Sequence, residues 1–339
     1  GISSVGLRSS YLTQHVNLRF YFPPATLLNL FLWSPTACCR EFNMLEVIDV
    51  SGLVTFQDSG RHGFASYGVP TSGPMDWFAY QAANSLVGNS VNAPVVEIGL
   101  GEAVFRAKRN CVLAVTGAGF EVLNYVWTFP LWTSFFMRAG WYVNIKKKSG
   151  GNWAYLAAAG GFEVDSILGS RSTYLRGGLG DTIRAGDLLQ TGKPSRELLK
   201  LAARDFPVEK YMVYSQSPVI EIITGPQKER FTKEGYQTFL NSEYTLSSSF
   251  DRMGYRLEGS FISHNAGADL ISEGMTIGSI QVPANGQPIV MMADSPTTGG
   301  YPKIASVVKT SLPLLAQCES GVSKIRFKET TVEEAQGKY

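Results

Sequence analysis

Gly151-Asn-Trp-Ala-Tyr-Leu-Ala-Ala158, followed by Gly160-Gly161-Phe162, sets a short apolar run between glycines. Such a run reads as a strand between turns. The same unit recurs on either side of it. Before it come Leu45 to Val50, Val95 to Leu100, Cys111 to Val115 and Tyr142 to Ile145. After it come Val219 to Ile223, Tyr244 to Leu246, Ser279 to Val282, Ile289 to Ala293 and Ile325 to Phe327. This spacing predicts a mainly β protein of barrel or sandwich type with accessory helices.

Two helices are predicted from boundary chemistry. The first starts at Ser72 or Gly73, with Pro74 in its first turn and Asp76 near the positive end of its dipole. It buries Phe78, Ala82 and Leu86 and stops at Gly88. The second runs from about Gln227 to Leu240, weakened by Gly235. A boundary is expected between Gly192 and Ser217, where a short charged helix (Glu197 to Arg204) leads into polar, Pro-punctuated sequence. It divides the chain into lobes 44–200 and 201–339. The lobes echo each other: Val112 to Gly117 resembles Ile220 to Gly225, and the opening stretch resembles Gly286 to Ala293 with Gly299-Gly300-Tyr301. Internal duplication and chance similarity both account for such matches.

The 339 residues carry 30 Lys+Arg and 28 Asp+Glu, with 44% apolar residues, which excludes a disordered or collagenous chain and a nucleic-acid-coating tail. Residues 1–43 hold three Arg, one Glu and no Lys or Asp, so the remainder is formally neutral. That segment reads as a leader outside the native domain, a targeting peptide and an extra structural arm being the competing readings, because Met44 opens a strand pattern that needs nothing before it. No apolar run reaches the roughly 20 residues a membrane span requires. Among four cysteines, Cys111 and Cys318 lie far apart in apolar sequence and read as buried thiols of a reducing compartment, the cytoplasm. Neither nucleic acid nor a membrane is expected as a partner.

Phosphate-loop, dinucleotide-binding, zinc-protease and nucleophile-elbow motifs are absent, and no Cys/His cluster predicts a metal site. Nor is there an Ala-Met-Lys-Met stretch to carry covalent biotin. Four polar, glycine-bearing segments remain. The first combines Gln57, Asp58 and Arg61 with Ser72 and Asp76. Its glycines admit a ligand to the backbone, and the helix start would aim N–H groups at an anion; an Arg61 to Asp58 pair pinning a loop is equally open. The second, Gly169-Ser-Arg171-Ser-Thr, sets Arg beside hydroxyls and reads as a solvated turn or a phosphate contact. The third is Asp251-Arg252-Met-Gly-Tyr255-Arg. The fourth runs from Ser272-Glu273-Gly through Gln281 to Asp294-Ser-Pro-Thr297-Thr298-Gly-Gly-Tyr301-Pro-Lys303. An acid, two hydroxyls, a Gly pair and a Lys on one connection read as a site rather than a plain loop.

Taken in order from about Val47 to Ala335, these segments resemble the C-type component of bacterial 5-oxoprolinase, a family also called allophanate hydrolase subunit 2 or kinase-inhibitor antagonist. It is similar to the carboxyltransferase part of urea carboxylase. The resemblance implies a cyclophilin-like β-barrel architecture, a working complex with the B-type and A-type components of 5-oxoprolinase, and ATP-dependent opening of 5-oxoproline to glutamate, with ATP and Mg²⁺ held at the complex. On this reading Asp251, Arg252, Asp294 and Lys303 are catalytic: Arg252 and Lys303 bind phosphate or carboxylate, and Asp251 and Asp294 handle a proton or metal. Thr297 and Thr298 hydrogen-bond substrate, and Gln57, Asp58, Arg61, Ser72, Asp76, Arg171, Tyr255, Glu273, Gln281 and Tyr301 complete the binding set. Two residues depart from the family pattern, Phe250 in place of Ser and Pro296 in place of Gln. Rival functions are a carboxyltransferase acting on urea or a similar amide with biotin held in trans, and a non-enzymatic partner-binding regulator.

Overall fold

Trp153–Ala158 is a strand buried on both faces. Ala154, Leu156 and Ala158 enter one core while Trp153, Tyr155 and Ala157 enter another, which is why its sequence is unbroken by polar residues. The computed structural model describes residues 43–125 and 127–337, so the predicted leader lies outside the described residues except for Asn43.

The strands of the first half are β1 (Asn43–Val50), β2 (Leu53–Gln57), β3 (Val95–Gly99), β4 (Ala103–Ala107), β5 (Cys111–Gly117), β6 (Phe120–Leu123), β7 (Thr128–Phe129), β8 (Thr133–Met137), β9 (Tyr142–Lys147), β10 (Trp153–Ala158) and β11 (Leu188–Thr191). Those of the second half are β12 (Val219–Thr224), β13 (Tyr244–Phe250), β14 (Gly254–Glu258), β15 (Glu273–Gly274), β16 (Ser279–Gln281), β17 (Ile289–Met291), β18 (Thr298–Gly299), β19 (Lys303–Val307) and β20 (Lys324–Glu329). Helices α1 (Trp77–Leu86), α2 (Leu198–Leu201), α3 (Lys233–Asn241), α4 (Leu312–Ala316) and α5 (Val332–Gly337) are accessories.

The first half is a sandwich of a six-stranded sheet, β11-β1-β4-β9-β6-β7, and a five-stranded sheet, β2-β3-β10-β5-β8. Its core holds Leu45, Phe105, Ile145, Ile98, Leu113 and Leu156. The second half closes into a seven-stranded barrel, β12-β19-β16-β17-β14-β13-β20, with β12 and β20 parallel. A second core joins the outer face of β10 and β5 to α1 and the barrel, through Tyr80, Trp153, Tyr155, Tyr255, Leu257 and Ile304. The hydroxyl of Tyr255 accepts from Trp153 Nε1 (2.9 Å) and donates to the Ala316 carbonyl (2.9 Å), tying the halves together.

The first helix begins later than its sequence predicts. Ser72 and Gly73 sit at φ 57° and 88°, so 72–76 is a turn, and Asp76 is the N-cap, its Oδ1 accepting from Ala79 N–H. Ala82 and Leu86 are buried as expected, whereas Phe78 is half-buried. The second helix is split: a 3₁₀ turn at Lys228–Arg230 precedes α3, which Thr232 caps. Glycine is required at position 235, because a Cβ there would lie 2.5 Å from the Ser263 carbonyl oxygen. The charged helix shrinks to α2, and the segment beyond it packs on β8 through Ser134 N–H to Arg204 O and Phe206 N–H to Trp132 O. The duplicated pattern is not carried into strand pairing. β5 pairs with β10, but their counterparts are separated in the barrel, β12 lying between β19 and β20 and β17 between β14 and β16. Cys111 and Cys318 are free and buried, and burial pushes both thiols up to about 12.

Candidate active site

Strand alternation turns Glu97 away from the sandwich core that Val96 and Ile98 enter and toward the second half, a lone acid in an apolar strand. Its Oε2 accepts from Met75 N–H at 2.8 Å, and its Oε1 meets Arg252 Nη1. Arg252, in the β13–β14 turn, donates Nε and Nη2 to the two oxygens of Asp294 at 2.8 and 3.1 Å, and Nη2 also to the Gly73 carbonyl at 2.7 Å. Its guanidinium is therefore committed to partners rather than offered to a ligand. Burial raises the Glu97 pKa, and the Arg252 charge acts against that rise. Glu97 and Arg252 thus grip the 73–75 turn from opposite halves, which holds Ser72 in a left-handed conformation that non-glycine residues seldom adopt.

Asp76 is wholly buried next to this turn. Its carboxylate accepts from Ala79 N–H (2.9 Å), Tyr214 Oη (2.7 Å) and Gln317 Nε2 (2.9 Å), and burial pushes its pKa up to about 6 despite those bonds. Its own N–H goes to Tyr155 Oη at 2.7 Å. Of the N–H groups that the sequence suggests aiming at an anion, those of Met75, Asp76 and Ala79 are thus occupied by protein acceptors.

Asp58 behaves in the opposite way. Burial would raise its pKa, but donors from Ser170 Oγ, Arg171 N–H, Ser172 Oγ and Gly60 N–H outweigh it and hold the carboxyl below its ordinary value. It pins the Ser170–Ser172 loop and makes no ion pair with Arg61. Arg61, 1% exposed, gives Nη2 to the Ser172 carbonyl, while its Nε and Nη1 have no partner among the described residues. The same holds for Gln57 Oε1, Ser72 Oγ and Tyr80 Oη. A buried polar atom left unpaired costs about 1–3 kcal/mol, so five of them around one region mark a place where hydrogen bonds await a guest or water.

Two cavities flank this region. One of about 160 Å³ is lined by Thr55, Thr173, Arg176, Asp251, Arg252 and Asp294. Arg176 and Asp251 pair at 3.1 Å on its exposed side, and Asp251 Oδ1 also accepts from Met253 and Gly254 N–H. The other, of about 480 Å³, lies in the range typical of small-molecule sites and includes Ser72, Tyr80, His62, Trp77, Met292 and Lys309 in its lining. Lys309 Nζ stands 5.2 Å from the Trp77 ring centroid.

The remaining residues of the sequence-derived set lie elsewhere. Tyr255 is spent in the core, and Arg171 is exposed with its Nε on the Val164 carbonyl. The fourth segment divides: Asp294 joins Arg252, whereas Thr298 and Gly299 pair with Gly274 and Glu273 in a two-stranded ribbon. Lys303 Nζ pairs there with Glu273 (3.1 Å) and the Gly274 carbonyl (3.2 Å), not with Asp294. Thr297 gives its carbonyl to Met275 N–H, and buried Gln281 donates to the carbonyl of Tyr301, whose side chain is exposed. Phe250 packs edge-on against Tyr255, and Pro296 is exposed. Neither cavity is lined by the ribbon residues. Glu97, Tyr80 and Lys309 escape the sequence reading. For Glu97 a signal existed, an acid inside the apolar run Val95 to Leu100.

Residues 67–329 match the family described as carboxyltransferase domain, subdomain A and B. The chain is 38% identical over 302 residues to the C-type component of the Escherichia coli K12 5-oxoprolinase, covering 86% of this chain and 93% of that protein. To the protein of the same name from Haemophilus influenzae it is 35% identical over 297 residues, with the same coverage. Among solved structures, TTHA0988 superposes with a TM-score of 0.75 at 31% identity, over 86% of this chain and 57% of that one. The urea carboxylase of Kluyveromyces lactis gives a TM-score of 0.78 at 25% identity, over 86% of this chain and 28% of that enzyme. The chain therefore spans just over half of the first structure and about a quarter of the second.

Proposed function

The chain belongs to the carboxyltransferase domain family of subdomains A and B, and from that premise we propose that it is the C-type component of a 5-oxoprolinase. In that assembly, with the A-type and B-type components, it takes part in the ATP-dependent opening of 5-oxo-L-proline to L-glutamate. The observation that carries this reading is its likeness to two 5-oxoprolinase components of the same C-type name across 93% of their length. The 480 Å³ cavity, with unpartnered Ser72 and Tyr80 hydroxyls, is the proposed lactam site.

A lactam resists hydrolysis because its nitrogen lone pair is delocalised into the carbonyl. Two buried hydroxyls suit it: one donates to the carbonyl oxygen, where negative charge develops on attack, and the other accepts from the ring N–H. Magnesium-bound nucleotide does not fit the residues present. Both oxygens of Asp294 are taken by Arg252, both of Asp58 by hydrogen-bond donors, and Lys303 is tied to Glu273. No group of three His, Cys, Asp or Glu among the described residues is arranged for a metal. No phosphoryl step is assigned to this chain, and the nucleotide is proposed to act at a partner protein of the complex.

The test is reconstitution. This chain with the A-type and B-type components and ATP is expected to release glutamate from 5-oxoproline, and omitting the chain is expected to stop it. A second reading, carboxyl transfer from biotin held on another protein to urea or a related amide, is favoured by the superposition on urea carboxylase. Avidin-sensitive carboxylation of urea by a reconstituted mixture, without glutamate release, would replace the first reading with the second.

A further inference from the structure

Two ion pairs of different kinds line the smaller cavity. The Arg252 and Asp294 side chains are 7% and 10% exposed and form its inner end. The Arg176 and Asp251 side chains are 64% and 53% exposed and meet at its mouth, Nη2 to Oδ2, at 3.1 Å. An exposed pair is worth little in water, so parting it to admit a guest costs little. Both partners are held by their own loops. Asp251 Oδ1 accepts from the N–H groups of Met253 (2.8 Å) and Gly254 (3.2 Å), which fixes the carboxylate and leaves Oδ2 for the pair. Arg176 stands on a 3₁₀ turn, Leu175–Gly177, that Gly178 closes in the left-handed region and a Tyr174 to Leu179 bridge clamps at its base. Between the two pairs, Leu53, Leu175 and Met253 give the cavity an apolar wall, and its two Arg and two Asp sum to zero charge.

We propose that this cavity binds a small α-amino acid with a neutral side chain. The carboxylate of the ligand meets the Arg176 guanidinium, its ammonium meets Asp251 Oδ2, and its side chain lies against Leu53, Leu175 and Met253. Charge selects the zwitterion. A lone anion would satisfy Arg176 but leave Asp251 beside a like charge, and a lone cation would do the reverse; a zwitterion replaces both halves of the parted pair. Spacing selects the α form, because Arg176 and Asp251 start 3.1 Å apart and adjacent charges reach both. A charged side chain finds no partner at the inner end, where both oxygens of Asp294 hold Arg252 and that guanidinium is completed by Glu97 and the Gly73 carbonyl. The ligand is thus neither a lactam nor a ring-opened dicarboxylate, and the inference does not depend on what the larger cavity binds.

The experiment is calorimetric titration and thermal unfolding of the full chain at neutral pH with L-alanine and L-valine, against propionate, L-alaninamide and L-glutamate. One or both neutral amino acids are expected to bind with a Kd on the order of 1 mM, about tenfold or more tighter than the three comparison compounds. Binding is expected to raise the unfolding temperature, since the site exists only in the folded chain. Arg176→Gln is expected to erase the preference over alaninamide. Asp251→Asn, which keeps an Oδ1 acceptor for the Met253 and Gly254 N–H groups, is expected to erase the preference over propionate; a merely structural change would not split the two preferences in this way. Either variant alone decides if the other fails to fold. No binding of alanine or valine at about 50 mM, propionate or alaninamide binding as tightly as they do, or an undiminished preference in a folded variant would overturn the inference.

Discussion

Arg252 and Arg61 are buried guanidinium groups from opposite halves of the chain, and the protein uses them differently. Arg252 is saturated by Glu97, Asp294 and the Gly73 carbonyl. Arg61 keeps two nitrogens unpartnered among the described residues. A saturated buried ion is a tie between elements, since taking away either side strands a charge out of water. An unsaturated one is tolerated only where water or a guest completes it. The lesson extends to the carboxylates, for Asp58 is held low by four donors while Asp76, with three donors and more deeply buried, is held high.

Removing the saturated partner should have the largest effect. Arg252→Ala leaves Glu97 and Asp294 uncompensated and is expected to cost about 3–5 kcal/mol of stability in urea unfolding; a loss below about 1 kcal/mol would mean that the cluster is not a tie. Next comes the pH dependence of Asp76. The folded protein keeps a proton on this carboxyl up to about pH 6, whereas the unfolded chain releases it near the ordinary value of 3.8. This contribution is therefore fully present below about pH 4, is lost as pH rises through about 6, and amounts to something on the order of 3 kcal/mol. Asp58 contributes with the opposite sign, losing stability as pH falls through its lowered value. Asp76→Asn is expected to flatten the slope between pH 4 and 6, and an unaltered slope would assign it to another group.

Arg61→Met sharpens the contrast with Arg252. It removes a charge that is already poorly satisfied, so stability should change by no more than about 1 kcal/mol, while turnover of the assembled enzyme falls by roughly tenfold or more. A stability loss as large as that of Arg252→Ala would erase the distinction between the two arginines. The smallest effect belongs to the surface ribbon. Glu273→Ala breaks a half-exposed pair with Lys303 and should cost under about 1 kcal/mol by thermal unfolding.

Strands were the most legible feature of the sequence, because glycine turns and short apolar runs are local signals; Trp153 to Ala158 is a strand with those same ends. Helix starts were less so. Pro74 and Asp76 match the pattern of a helical first turn, but the backbone at Ser72 and Gly73 is bent by contacts from Glu97 and Arg252, which no local pattern encodes. The loop carrying Asp58, Arg61 and Ser72 was legible as a polar, glycine-rich segment. The ribbon residues Glu273, Thr298 and Lys303 looked equally site-like, since sequence records which groups share a connection and not the direction each one faces.

Sequence alone determined the β character, the short accessory helices and the residue types that crowd the loops, all set by spacing, turn chemistry and burial preference over a few neighbours. Tertiary structure alone decided which of those residues meet. Glu97 and Arg252 are 155 positions apart and Asp76 and Gln317 are 241 apart, and each pair forms only when the sandwich docks on the barrel. The same docking leaves the Ser72 and Tyr80 hydroxyls dry and unpaired beside a cavity. Hydrogen-bond satisfaction is a property of the packed surroundings, and a chain read in one dimension does not contain them.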